Sequence, residues 1–122
     1  MANPTQAELE ILNILWDNGD LRVQEVHEKL NRVRPIGYTT TLKAMQVMAQ
    51  KGLLTRRLDG RSHIYSPTVQ ENTTKKNLLN SFIDATFRGS RSQLVMQLLG
   101  NSEVTREEID EIKAYLQRLE DN

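Results

Sequence analysis

Residues 38–67, "YTTTLKAMQVMAQKGLLTRRLDGRSHIYSP", change hydrophobic period in mid-stretch, and few small folds accommodate that change. As far as Lys51, Leu42, Met45, Met48 and Ala49 recur at the spacing of one face of an α-helix, with Thr41 and Ala44 at its margin. Thr39, Thr40, Lys43, Gln46, Val47 and Gln50 fall on the opposite side. Gly52 suits the position just past a helix C-terminus, where left-handed backbone carries no Cβ penalty. Beyond it Leu54, Arg56 and Leu58 alternate with Thr55 and Arg57, the period of a strand with one covered face. Asp59-Gly60 is a dipeptide favoured in tight hairpins, and Pro67 ends a second extended run. A helix over about 39–51 that feeds directly into a hairpin is therefore predicted.

Three consecutive threonines at the start of that helix need explaining, because a branched β-carbon makes threonine a mediocre helix former. Thr39 is expected to cap the helix and Thr41 to face the core margin. Thr40 is left exposed beside Lys43, at the end of the helix where backbone amides are free and anions are favoured.

Upstream, Thr5-Gln-Ala-Glu8 forms a capping box for a first helix striped by Leu9, Ile11, Leu12, Ile14, Leu15 and Trp16, which "DNGD" stops at 17–20. Leu21 to Val23 suit a short strand. Val23, Val26, His27 and Leu30 then stripe a second helix, closed by Pro35 and Gly37. Helix, short strand, helix, helix, hairpin is the element order of a winged helix-turn-helix, assigned to residues 1–67.

Residues 68–122 read as all helix. Leu78, Leu79, Phe82, Ile83 and Phe87 stripe one segment, and Ser90-x-x-Gln93 caps a second that carries Leu94, Val95, Leu98 and Leu99. Thr105-x-x-Glu108 opens a third, with Ile109, Ile112, Leu116 and Leu119 at heptad-like spacing. So short a segment with so few large apolar groups buries too little surface to fold alone. Its stripes are expected to pair with a second copy, with Leu78, Leu79, Phe82, Ile83, Leu94, Leu98, Ile109, Ile112, Leu116 and Leu119 at the contact. Packing on the N-terminal half of the same chain is the competing possibility. The expected class is mainly α with a small β-hairpin wing: an N-terminal winged helix-turn-helix and a C-terminal helical dimerisation region.

Composition narrows the function. The 122 residues carry no cysteine, which excludes disulfides, thiolate metal sites and a cysteine nucleophile. His27 and His63 are the only histidines, no compact carboxylate cluster accompanies them, and no Gly-rich phosphate loop or G-x-S-x-G stands anywhere. No enzyme activity, cofactor or metal is expected. An apolar leader and a membrane-length apolar run are both missing, so the expected location is cytoplasmic, with no membrane partner. Formal net charge is zero, but the sum hides an asymmetry. Between Arg32 and Arg61 seven cations face Asp59 alone, a net of +6, whereas residues 102–122 carry seven acids against three cations, a net of −4.

Duplex DNA asks a small domain for cations that meet phosphates and for a helix whose exposed side chains suit base edges. Thr39, Thr40, Lys43, Gln46, Val47 and Gln50 supply the second; Arg56, Arg57 and Arg61, flanking the hairpin, supply the first. A winged helix that presents the same surface to a protein is the alternative, and a merely solvated amphipathic helix is the plainest one.

The residues also resemble the penicillinase-repressor family of bacterial winged-helix regulators, the BlaI/MecI/CopY type. The likeness runs from "TQAELEILNILWDNG" through "VQEVHEKL", "YTTTLKAMQVMAQKGLLTRR" and "GRSHIYSP" into "FRGSRSQLVMQLL" and "EEIDEIKAYL", nearly the whole chain. It implies a homodimeric repressor whose winged helices occupy successive major grooves of a dyad-symmetric operator. Thr39, Thr40 and Lys43 would open the recognition helix, and Arg56 to Arg61 would form the wing. The copper-responsive branch, which ends in a cysteine cluster, is excluded by the lack of cysteine. In the β-lactam-responsive branch a membrane sensor protease relieves repression by cleaving an Asn-Phe bond. The matching place here is Gln97-Leu98, so that bond is absent and a sensor protease is left an open partner. Val47 stands where many members carry Arg, so the operator sequence does not transfer from relatives.

Overall fold

The computed structural model describes residues 3–101 and 103–122. In chain order its elements are α1 (Gln6–Asn18), β1 (Leu21–Arg22), α2 (Val23–Val33), α3 (Tyr38–Gln50), β2 (Leu54–Asp59), β3 (Ser62–Pro67), α4 (Glu71–Phe87), α5 (Arg91–Leu99) and α6 (Arg106–Glu120). The chain forms two compact units, which divide inside α4 between Leu78 and Leu79.

In the first unit, α1, α2 and α3 pack with an antiparallel sheet of order β1-β3-β2. Its core is Ile11, Leu12 and Leu15 of α1, Val23, Val26 and Leu30 of α2, Met45 and Met48 of α3, and Leu53, Leu54 and Tyr65. Apart from Leu53 and Tyr65, these are apolar positions that the sequence pattern names, and each helix buries one face. Val23 opens α2 instead of extending the short strand, and Pro67 is the last residue of β3, paired with Leu54. The unit continues past Pro67: the Trp16 indole donates to the Val69 carbonyl at 3.1 Å, and Val69 packs against the core.

The start of α3 departs from expectation. Its N-cap is Gly37, in extended backbone, and no side chain caps the helix. Thr39 is thus an exposed first-turn residue, not the cap. The reason lies in the approach: Asn31 Oδ1 accepts the Ile36 amide at 3.1 Å, and the Gly37 carbonyl accepts the Thr40 amide at 3.1 Å, so the turn is made before the threonines begin. Thr41 is wholly buried, and its hydroxyl lies 3.1 Å from His27 Nδ1, which satisfies a polar group that would otherwise be costly there. His27 in turn packs its ring edgewise against Tyr38. It is a structural histidine.

The hairpin also differs in register. Asp59 pairs with Ser62, so the loop is Gly60-Arg61, one residue later than the Asp59-Gly60 dipeptide suggests. Only its first residue, Gly60 at φ +68°, has left-handed backbone, the requirement of a type II′ hairpin turn. Of β2 only Leu54 is covered; Leu58 is 68% exposed. The alternation is real, but the hairpin projects past the core and leaves Leu58 nothing to pack against.

In the second unit, Ser90 caps α5 by accepting the Gln93 amide, and Thr105 and Glu108 form the expected capping box on α6. Leu79, Phe82, Leu98, Leu116 and Leu119 are each about half exposed in the single chain, and Ile112 is exposed on the same α6 stripe. Leu78, Leu94 and Ile109 are half-buried. Ile83 differs: it is 3% exposed, already enclosed within its own chain, and so leaves the surface expected to meet a second copy.

Near the α1 N-terminus the Thr5 hydroxyl accepts the Glu8 amide and the Glu8 carboxylate accepts the Thr5 amide, while Lys51 Nζ reaches Glu8 Oε2 at 2.8 Å. Burial works to raise the Glu8 carboxyl, but the Lys51 ammonium and the Thr5 hydrogen bonds outweigh it and hold the group below its ordinary value. A carboxylate depressed in the folded state stabilises the fold above its unfolded-state pKa, and that contribution disappears as pH falls through the folded value. Urea melts of the wild type and of Lys51→Met across the acidic carboxylate range should show a smaller acid-dependent loss in the variant. Equal losses would show that Lys51 does not depress Glu8.

Candidate nucleic-acid interface

Burial of Thr41, Met45 and Met48 turns the opposite side of α3 outward. Thr39, Thr40, Lys43, Gln46 and Gln50 are exposed, and Val47 is half-buried among them. This is a row of short hydroxyls followed by longer donors and acceptors and one apolar contact, as the sequence pattern predicts.

Two recesses border the row. One, of about 320 Å³, lies between Thr39, Thr40, Lys43, Ala44 and Val47 of α3 and Ala7 and Glu8 of α1. The other, of about 480 Å³, lies between Gln46, Ala49 and Gln50 of α3 and Leu54, Thr55 and Arg56 at the base of the wing. The helix face and the hairpin therefore form a continuous surface, with α1 as its other border. The participation of Ala7 and Glu8 has no signal in the sequence, since it arises from packing across more than thirty residues.

The wing arginines divide between two faces. Arg56 pairs with Tyr65 across the ladder and approaches its hydroxyl at 3.4 Å, on the side that Leu54 and Tyr65 share with the core. Arg57 pairs with Ile64 on the other face, where Asp59 also lies. Arg61 is exposed in the loop. One strand thus sends adjacent arginines in opposite directions, a consequence of the pleat.

Folding also spends part of the basic excess. Lys51 pairs with Glu8, and Arg34 pairs with Glu10 at 2.9 Å, both acids coming from α1. Arg57 lies 4.0 Å from Asp59. Among the described residues Lys43, Arg56 and Arg61 form no ion pair, and Arg57, still well exposed, makes only the long contact to Asp59, so these are the cations of the surface left for an anionic partner. The net +6 counted along the sequence overstates the field, because the neutralising acids are distant in the chain and near in space.

Arg22 is a further residue that sequence reading passes over. It lies on β1, and its guanidinium reaches Asp59 and Ser62, the two residues that flank the wing loop. Its contacts span about forty positions, and no local pattern announces them.

The chain is similar to known proteins along most of its length. The penicillinase repressor family model matches residues 4–118. The penicillinase repressor of Bacillus licheniformis is 25% identical over 113 residues, covering 93% of this chain and 88% of that protein. The solved DNA-binding domain of the repressor BlaI superposes with a TM-score of 0.52 at 25% identity, covering 56% of this chain and 83% of that one. The Bacillus licheniformis BlaI monomer, solved in complex with the blaP half-operator, gives a TM-score of 0.51 at 24% identity, covering 58% and 87%. With the match extending from the first helix to the last, the chain belongs to the penicillinase repressor family, which consists of transcriptional repressors and not of enzymes.

Proposed function

We propose that this protein is a cytoplasmic homodimeric repressor that binds a dyad-symmetric DNA operator, through residues 1–67, and pairs through residues 68–122. The observation that carries the proposal is the outward row on α3, continuous with Arg56 and Arg61 of the wing, which form no ion pair among the described residues. In this reading Thr40, Lys43, Gln46, Val47 and Gln50 meet base edges. Thr39, Arg56, Arg57 and Arg61 meet the backbone. Repression follows from occlusion of a promoter by the bound dimer.

The half-exposed stripe of Leu79, Phe82, Leu98, Ile112, Leu116 and Leu119 supports pairing with a second copy, as does a recess of about 680 Å³ lined by Val95, Ile112, Tyr115, Leu116 and Leu119. Apolar area of this kind is stabilising only when a partner covers it. Gln97-Leu98 lies on exposed turns of α5 and lacks the Asn-Phe residues of the inducible branch, so a sensor protease forms no part of the proposal.

Selection of bound sites from fragmented chromosomal DNA tests the reading. The recovered sites should hold two inverted half-sites, and affinity should fall steeply with added salt as counterions are released. Failure to bind any fragment at low salt would refute DNA recognition, and single half-sites without dyad symmetry would refute the dimer. On a recovered site, Thr40→Ala or Lys43→Ala should relax base preference by about 1–3 kcal/mol, whereas Arg57→Ala should weaken all sequences alike. Quantitative binding to single-base variants of the site distinguishes the two classes, and the reverse pattern would overturn the division of labour.

A further inference from the structure

We infer that Arg22 is a positioning residue for DNA binding: it holds the wing loop and occupies Asp59, so that Arg57 and Arg61 remain available to phosphate. The inference rests on the DNA-binding reading above and names a residue outside the surface assigned there.

The geometry follows from the sheet register. Arg22 pairs with Ile64, and Ile64 pairs with Arg57, so Arg22 and Arg57 stand on the same face on either side of Ile64. Ser62 and Asp59 lie two residues further toward the loop on that face. Arg22 reaches both. Its Nη1 donates to the Asp59 carbonyl at 3.0 Å and to the Ser62 hydroxyl, while Nη2 lies 3.4 Å from the Asp59 carboxylate. Asp59 and Ser62 are the residues that close the Gly60-Arg61 loop, so one planar guanidinium grips both sides of its base.

The contact has an electrostatic side. Asp59 is the single acid between Arg32 and Arg61, and it sits between Arg22 and Arg57. A carboxylate on a phosphate-binding surface both repels the DNA and competes for the cation beside it. With Arg22 at its oxygen, the Asp59 charge is met from the β1 side and the longer 4.0 Å contact leaves Arg57 largely solvated. Without Arg22, Asp59 turns to Arg57 and the loop that carries Arg61 loses its tie. Because the backbone of Arg22 donates separately to Glu25 Oε1, truncation of its side chain leaves the start of α2 intact.

The test uses the full-length protein and duplex DNA of random sequence, about 30 base pairs long, enough for two half-sites at helical-turn spacing. Arg22→Ala should weaken binding about threefold to tenfold, the range expected for coupled neighbours. That loss should vanish when Arg57→Ala and Arg61→Ala are already present. Asp59→Asn should restore much of the affinity in the Arg22→Ala background, since it removes the competing charge. Circular dichroism and thermal melts should be little changed, and if Arg22→Ala unfolds, Asp59→Asn alone serves, with tighter binding than wild type expected. A loss from Arg22→Ala that persists undiminished without the wing arginines would overturn the inference, as would no loss at all. Wild-type protein that fails to bind the duplex would instead refute DNA recognition itself.

Discussion

The rotational setting of α3 is the constraint on which the rest depends. Thr41, Met45 and Met48 are fully buried against the other elements of the first unit, and the Thr41 hydroxyl is tied to His27 of α2. A helix with such a face fixed has its other side chains fixed too, because successive residues are rotated by a constant angle. Rotating α3 to hide Thr40 or Lys43 would expose two methionines and strand a buried hydroxyl. Core packing therefore decides which residues a partner meets, and the specific hydrogen bond to His27 makes the setting unique in a way that apolar contacts alone do not.

From that setting the electrostatics follow. The acids of α1 fold onto Lys51 and Arg34, which offsets the charge of those two cations although their side chains stay about half exposed. Lys43 on the helix and Arg61 at the wing tip are exposed and form no ion pair among the described residues. The protein is neutral overall, and the face formed by α3 and the wing gains its sign from the segregation of charge within the fold.

Much of this was legible in the chain. The capping boxes at Thr5 and Thr105, the buried stripe on α3, the glycine after its C-terminus and the hairpin are local patterns, and local patterns are what a sequence displays directly. Thr39 misled because its side chain suits a cap, yet the turn made by Asn31, Ile36 and Gly37 comes first. Leu58 misled because alternation reports a pleat and not whether anything lies over it. Ile83 shares a stripe with Leu79 and Phe82, but its own chain encloses it. Glu8 with Lys51, Glu10 with Arg34 and Arg22 with Asp59 were invisible for one reason: each joins residues more than twenty apart, and only the fold brings them together.

The central claim is that α3 and the wing form one DNA-binding surface. A titration of isotope-labelled protein with a selected duplex, followed by amide chemical shifts, tests it most directly. Large shifts should cluster at Thr39–Gln50 and Arg56–Arg61, with neighbours at Ala7 and Glu8 where α1 borders the helix. Shifts concentrated instead in α5 and α6, or spread without focus while the DNA is saturated, would contradict it.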